Sequence, residues 1–370
     1  MNDHQITPGR PSRQSSRPAD RPSGDAFGVA SRGAPHRQRH AGPDLRRRGV
    51  NDQNPTELSK AAAAYLEARR ADATHKSYET AWRAFEAWCS RWSMPAEHVL
   101  SVAGYLTHLA ESGLSVASVE RALSAIGAKL EDAGEADPRR DAAIKALVTG
   151  IRRKRGRPPK RKSPLMAAHM LAIVRKMQST ERSAVKLARD RCLLLLGFAA
   201  ALRRSELVAL DLEDVAELRA DDGSVVGLRV LVRRSKTDQE GRGRVVGVSM
   251  GSHPETCPVR AVAAWRAMVP ESTGPLLRYV GAGDRVTRRG LGDRQVARIV
   301  KRAAASVGLD PSRFAGHSLR AGLATSAAKA GKSDRAIMAQ TGHKSHAMVQ
   351  VYVREAKLVD EDNASNGIGL

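Results

Sequence analysis

Apolar residues between Thr56 and about Arg153 recur at intervals of three and four, as in Trp82, Phe85, Trp88 and Cys89 and again in Val99, Val102, Leu106 and Leu109. Successive residues of a helix advance about 100° around its axis, so each run lines up one apolar stripe. Breaks at Asp72-Ala73, Ser93-Met94-Pro95, Gly113-Leu114-Ser115 and Gly134 to Pro138 divide the stretch into four or five short helices. The pattern predicts a compact helical domain over residues 53–151. Trp82, Trp88 and Trp92 fall at helical spacing, which assigns them to the core rather than to base stacking. Arg69, Arg70, Lys76, Arg83 and Arg91 lie on the outer faces, either solvated or against a phosphate backbone.

A second domain is expected over residues 163–370. Helical periodicity covers 165–178 and 182–202, and then the period shortens to two in runs at 212–219, 225–233 and 243–250. Asp221-Asp222-Gly223 and Asp238-Gln239-Glu240-Gly241 separate these runs as turns, which predicts antiparallel pairing. Helices return at about 258–269, 291–306, 317–330, 333–340 and 345–354. The fold class is therefore mainly α with a small antiparallel β-sheet. The longest apolar run, Cys192 to Leu202, is too short to span a bilayer and reads as a buried helix, so no membrane partner is expected.

Charge changes the picture. The 370 residues include 62 Lys and Arg against 39 Asp and Glu, a formal net charge of +23, which calls for a polyanionic partner, with nucleic acid foremost. Residues 1–52 are rich in Arg, Pro, Ser and Gly and have no periodicity, and they are expected to form a disordered basic arm. The most charged run, residues 152–162, includes Arg153, Lys154, Arg155, Arg157, Lys160, Arg161 and Lys162. Its Gly156 and paired Pro158 and Pro159 predict an extended linker rather than a helix. The Arg-Gly-Arg-Pro centre suits insertion into a narrow minor groove, and a generic basic hinge fits the composition equally well. Cys89, Cys192 and Cys257 show no C-x-x-C spacing, which suits a reducing, cytoplasmic location and argues against a zinc site. The N-terminus has no signal-peptide pattern.

Candidate chemistry gathers in the second domain. In a helix over 317–330, His317 and Arg320 of Gly316-His317-Ser318-Leu319-Arg320 share a face, within roughly 60° of each other, while Leu319 and Leu323 point the opposite way. Arg203 follows the buried run ending Ala201-Leu202, with Glu206 one helical step on. Lys236 precedes the turn between the second and third strands, His343 follows Gly342 between two helices, and Tyr352 lies on the last helix, after Met348 and Val349. Each has an ordinary reading on its own: an ion pair, a solvated turn, a cap, a core aromatic. Together they match phosphoryl transfer without a metal. Two arginine forks neutralise a phosphodiester, a tyrosine supplies the nucleophile, a histidine takes its proton and a lysine protonates the departing oxygen. A tyrosine is only about one part in a thousand ionised at neutral pH, so it needs such neighbours.

These residues resemble the tyrosine recombinase (phage integrase) family. Ala201-Leu202-Arg203-Arg204-Ser205-Glu206-Leu207 is similar to its first-arginine motif, Ser235-Lys236-Thr237-Asp238 to its hairpin-lysine motif, and Gly316 to Arg320 to its H-x-x-R box. Thr341-Gly342-His343, with Tyr352 nine residues on, is similar to its terminal box. The resemblance covers roughly residues 56–357. It implies a helical core-binding domain and a tyrosine-recombinase catalytic domain closing on duplex DNA, acting as a homotetramer on two DNA sites. By the same resemblance Arg203 and Arg320 clamp the scissile phosphate, Lys236 is the general acid and His317 assists proton transfer. His343 bonds the phosphate, Glu206 supports the site and Tyr352 becomes linked to the 3′ phosphate. No cofactor is implied. Ala330-Gly331-Lys332-Ser333 lacks the upstream glycine of a nucleotide-binding loop, and His343-x-x-His346 lacks a third ligand, so neither ATP nor metal is expected. A type IB topoisomerase or telomere-resolving enzyme would share this site, and a non-catalytic DNA-binding protein would retain it unused.

Overall fold

The computed structural model describes residues 59, 60, 62, 64, 65, 71–158, 161–235, 238 and 240–356. Internal contacts divide the chain after Arg69. Of the first unit, Ser59, Lys60, Ala62, Ala64 and Tyr65 are described, and they are helical. The expected basic arm, 1–52, lies outside the described residues. The described residues from Ala71 onward are mainly helical with small antiparallel sheets, of which the periodicities predict the three-stranded one.

Four helices come first: α1 (Asp72–Arg91), α2 (Val99–Glu111), α3 (Val116–Asp132) and α4 (Ala142–Arg155). Their apolar stripes meet around Phe85, Val102, Leu106, Ile126 and Ile144, all fully buried. Trp82 and Trp88 pack against this core as expected. Trp92 does not. It follows the last residue of α1, stays 60% exposed and carries the Arg91 guanidinium 5.9 Å from its ring centroid.

The basic run also departs from expectation. Arg152, Arg153, Lys154 and Arg155 are helical, and α4 stops at Gly156 rather than before Arg152. A proline restricts the residue just before it, so Pro158 constrains Arg157 and leaves the chain up to Arg155, three positions earlier, able to be helical. Cations in a last turn also complement the negative end of the helix dipole. Carboxylates supply the rest: Glu120 Oε1 accepts from Arg152 Nε at 2.6 Å, and Glu111 Oε2 from Arg155 Nη2 at 2.5 Å.

The second core is larger. It is built from α5 (Ala167–Thr180), α6 (Ala184–Ala199), the short α7 (Arg204–Val208), strands β1 (Val215–Arg219), β2 (Val225–Val232) and β3 (Arg244–Ser249), α8 (Pro258–Arg266), β4 (Arg278–Val280), β5 (Val286–Gly290) and α9 (Asp293–Ser306). Then follow α10 (His317–Lys329), α11 (Asp334–Thr341) and α12 (His346–Ala356). The sheet order is β1-β2-β3, antiparallel, with Val215 opposite Val230 and Val230 opposite Val246, so one face of alternate residues enters the core. Residues 212–214, read as strand, form a 3-10 turn because the Asp214 carboxylate accepts from the Asp211 backbone N–H at 3.0 Å.

Helix α10 is not amphipathic, contrary to the expected split of polar and apolar faces. Ser318, Leu319, Arg320, Ala321 and Gly322 are all buried, so this helix runs through the interior. Gly322 makes the crossing possible. A Cβ there would lie 1.9 Å from the Leu165 carbonyl oxygen, closer than any side chain can sit.

Candidate active site

Helix α6 ends in a turn closed by Ala201 N–H to Phe198 O (3.0 Å) and Leu202 N–H to Gly197 O (3.2 Å), with Ala201 left-handed at φ 50°. Glycine is the unstrained residue for such a corner, so an alanine here holds strain at the entrance to the site. The corner aims the Ala201 carbonyl at Arg320, whose Nη1 donates to it at 2.9 Å. Two residues on, Arg203 opens α7.

Glu206 sits beneath, 1% exposed at its side chain. It accepts from the Arg203 backbone N–H at 3.0 Å, from Arg203 Nη1 at 2.5 Å and from Arg244 Nη2 at 3.2 Å. Burial pushes its pKa up, but the Arg203 hydrogen bonds and the charges of Arg203 and Arg244 outweigh burial and hold it below the ordinary carboxylate value. Arg244, the first residue of β3, also donates through Nη1 to the Gln340 carbonyl at 3.2 Å. One guanidinium thus ties the sheet and the α7 platform to the end of α11.

Arg320 is 0% exposed, yet its Nε and Nη2 have no hydrogen-bond partner among the described residues. Burial, then the charge of Arg203, brings its pKa down to about 10, which leaves it cationic at neutral pH. A buried cation with unmet donors is a receptor for an anion.

The remaining groups close over it. Helix α11 ends at Gly342, left-handed at φ 66°, where a Cβ would lie 3.0 Å from Arg244 Nε. This turn brings His343 back so that its Nδ1 lies 2.9 Å from Thr341 Oγ1. Burial, followed by the charges of Arg320 and Arg203, lowers the His343 pKa to about 4. Helix α12 is fixed by buried Val349 and by Asp334, which accepts from His346 Nε2 at 2.5 Å and Gln350 Nε2 at 2.6 Å. Its Tyr352 ring stacks on His343 with centroids 5.7 Å apart, and its hydroxyl lies 3.3 Å from His317 Nε2. His317 stands exposed at the rim. Even so, partial desolvation of its ring, then Arg320 and Arg203, lower its pKa and favour the neutral imidazole.

Arg203, Glu206, His317, Arg320, His343 and Tyr352, dispersed over 150 positions of sequence, therefore share one site within a single chain. Lys236 lies outside the described residues; its neighbours Ser235 and Asp238 pair across the hairpin turn. In the basic run, Lys160 also lies outside them. Arg153, Lys154, Arg157 and Arg161 are exposed, Arg155 is engaged by Glu111, and Lys162 Nζ donates to the Ser312 carbonyl at 2.7 Å. Arg244 and Asp334 were not marked by the sequence, and Thr341 only as the first residue of the terminal box. The alternation of β3, which turns Val246 and Val248 inward, puts Arg244 on that same side and was the available signal for it.

Residues 167–358 match the family model described as the phage integrase family. An integrase/recombinase xerD homolog of Selenomonas ruminantium is 33% identical over 320 residues, covering 85% of this chain and 90% of the relative. Among solved structures, a lambda integrase (75–356) dimer bound to a COC′ core site is 19% identical with a TM-score of 0.53, covering 80% of this chain and 94% of that one. A lambda integrase tetramer bound to a Holliday junction is 18% identical, also at 0.53, covering 86% and 82%.

Proposed function

The chain belongs to the phage integrase family, the tyrosine recombinases, and from that premise we propose that Tyr352 cleaves duplex DNA through a 3′-phosphotyrosyl intermediate in site-specific recombination. The observation that carries this reading is the Tyr352 hydroxyl held 3.3 Å from His317 Nε2, in the same site as the buried, unsatisfied guanidinium of Arg320.

The scissile phosphate places its non-bridging oxygens on Arg320 and Arg203, whose fork geometry suits two oxygens at once. His317, kept neutral, takes the phenol proton as the tyrosine oxygen forms its bond to phosphorus. The bond to the 5′ oxygen breaks, and Lys236 delivers a proton to it, a role resting on the family resemblance. His343 bonds a phosphate oxygen. Glu206 holds Arg203 in register and sets the spacing between the Arg203 and Arg244 charges. Rejoining runs the same steps backwards: a 5′ hydroxyl attacks and Tyr352 leaves. The phosphotyrosyl bond keeps the energy of the phosphodiester, so ATP has no role, and the guanidinium groups supply the charge that a metal supplies elsewhere.

The partner is double-stranded DNA, and a homotetramer on two DNA sites is the assembly, in line with the tetramer on a Holliday junction formed by lambda integrase. The exposed Arg153, Lys154, Arg157 and Arg161 add backbone contacts. Among the described residues no helix is long and apolar enough to cross a membrane.

Selection of bound duplexes from a random library, followed by nicked suicide substrates, tests the reading. A covalent protein–DNA adduct and strand exchange between two sites are expected. An adduct with relaxation of supercoils but no two-site exchange points to a topoisomerase, and binding without an adduct to a non-catalytic DNA-binding protein.

A further inference from the structure

The second nitrogen of His343 meets Thr341, a fully buried side chain whose Oγ1 lies 2.6 Å from the Ile337 carbonyl oxygen and 2.9 Å from His343 Nδ1. A threonine hydroxyl has one proton to donate and lone pairs to accept with. If its proton goes to Ile337 O, Oγ1 accepts from Nδ1–H, and a neutral ring then carries a bare lone pair at Nε2. If the hydroxyl turns onto Nδ1, the ring proton belongs on Nε2, which becomes a donor. The shorter contact, to Ile337, whose carbonyl can only accept, matches the first arrangement.

We propose that Thr341 is a positioning residue that sets the tautomer of His343: it holds the proton on Nδ1 without DNA and allows it on Nε2 when a phosphate oxygen arrives. An anionic oxygen repels a lone pair and accepts a hydrogen, so the bound state favours the second arrangement. The change needs one hydroxyl rotation and a proton moved from Nδ1 to Nε2 through water, with no net uptake. Ile337 O loses little, since the helical ladder of α11 already serves that carbonyl. Because the ring remains uncharged at neutral pH, its hydrogen-bonding character depends on this neighbour. Gly342 makes the contact possible by folding residue 343 back over residue 341.

The DNA-free half of the proposal is independent of the recombinase reading, and the phosphate half rests on it. Long-range ¹H–¹⁵N spectra of the full chain read the tautomer directly. In wild type the His343 signals are expected to show a protonated Nδ1 and a bare Nε2; a protonated Nε2 overturns the proposal. Thr341→Val is nearly isosteric and removes the hydroxyl, so the proton should move to Nε2, and Thr341→Ser should restore it. An unchanged tautomer in the valine variant overturns it as well. With a nicked suicide duplex, Thr341→Val, in which the His343 ring already carries its proton on Nε2, is expected to form the adduct at least as fast as wild type, with serine returning the rate to the wild-type value. A valine variant slower than wild type overturns the phosphate half, whereas no adduct in wild type refutes the recombinase reading and leaves the spectra to decide the rest.

Discussion

Glu206 grips Arg203 at both ends of that residue, taking its backbone N–H at 3.0 Å and its Nη1 at 2.5 Å. The carboxylate fixes where the chain enters α7 and where the guanidinium points in a single contact. Replacing Glu206 with Ala leaves two arginines uncompensated in a buried place, and such a loss costs about 3–5 kcal/mol. Urea denaturation should show it.

The same group sets an acid limb. Its folded-state pKa lies below the unfolded value, so the stability it contributes is present above the ordinary carboxylate value and is lost as pH falls through the folded one. Glu206→Gln is expected to be less stable than wild type at neutral pH and to flatten the decline in acid. An unaltered acid limb would show that Glu206 does not carry it.

Tyr352→Phe is expected to abolish covalent adduct formation while DNA affinity stays within about twofold, since one oxygen is removed and the ring still stacks on His343. Gel-shift titration and denaturing gels of suicide-substrate reactions measure the two properties separately.

Arg320→Met should separate stability from activity. Exchanging a buried cation with unmet donors for an apolar chain of similar length is expected to leave the DNA-free protein equally stable or up to about 4 kcal/mol more stable. Cleavage should fall by about 10²-fold or more with the loss of a preorganised charge donor. Thermal melting without DNA and single-turnover cleavage read both effects.

The two site histidines make a second pH dependence of opposite chemical origin. A histidine with a lowered folded pKa is protonated more readily when unfolded, so its stabilising contribution is full above the ordinary histidine value and is lost as pH falls. For His343 that loss ends near its folded value of about 4. An NMR titration is expected to keep His343 neutral at pH 6; a midpoint near the ordinary histidine value would contradict the burial and the arginine charges around it.

Ala201→Gly is expected to stabilise the protein by about 0.5–1 kcal/mol, the relief of a left-handed Cβ less the extra freedom of glycine in the unfolded chain. Differential melting checks it, and Ala201→Val should shift the midpoint the other way.

Periodicity made the helices and the three-stranded sheet legible because it depends on local geometry, and residue chemistry together with the family's motifs in their order pointed to the six described site residues. Long-range compensation was not legible. The β4–β5 hairpin shows no run of alternating apolar residues, and Arg278 within it is 1% exposed because it is bonded to Glu271 and to the Pro275 carbonyl. The burial of α10 was hidden for a similar reason: Arg320 looked like a surface residue until Ala201, 119 positions earlier, supplied its acceptor. Arg152 to Arg155 read as linker because Glu111 and Glu120, which neutralise two of them, lie 44 and 32 positions away.

Those two carboxylates bear on how the basic run meets DNA. An arginine that trades Glu120 or Glu111 for a phosphate leaves a carboxylate unpaired on the protein. The cation it displaces from the DNA is offset by the cation that carboxylate attracts, so net ion release on this exchange is small. Arg152 and Arg155 thus behave as internally countered charges, and the apparent valence of binding should count the exposed Arg153, Lys154, Arg157 and Arg161 ahead of them.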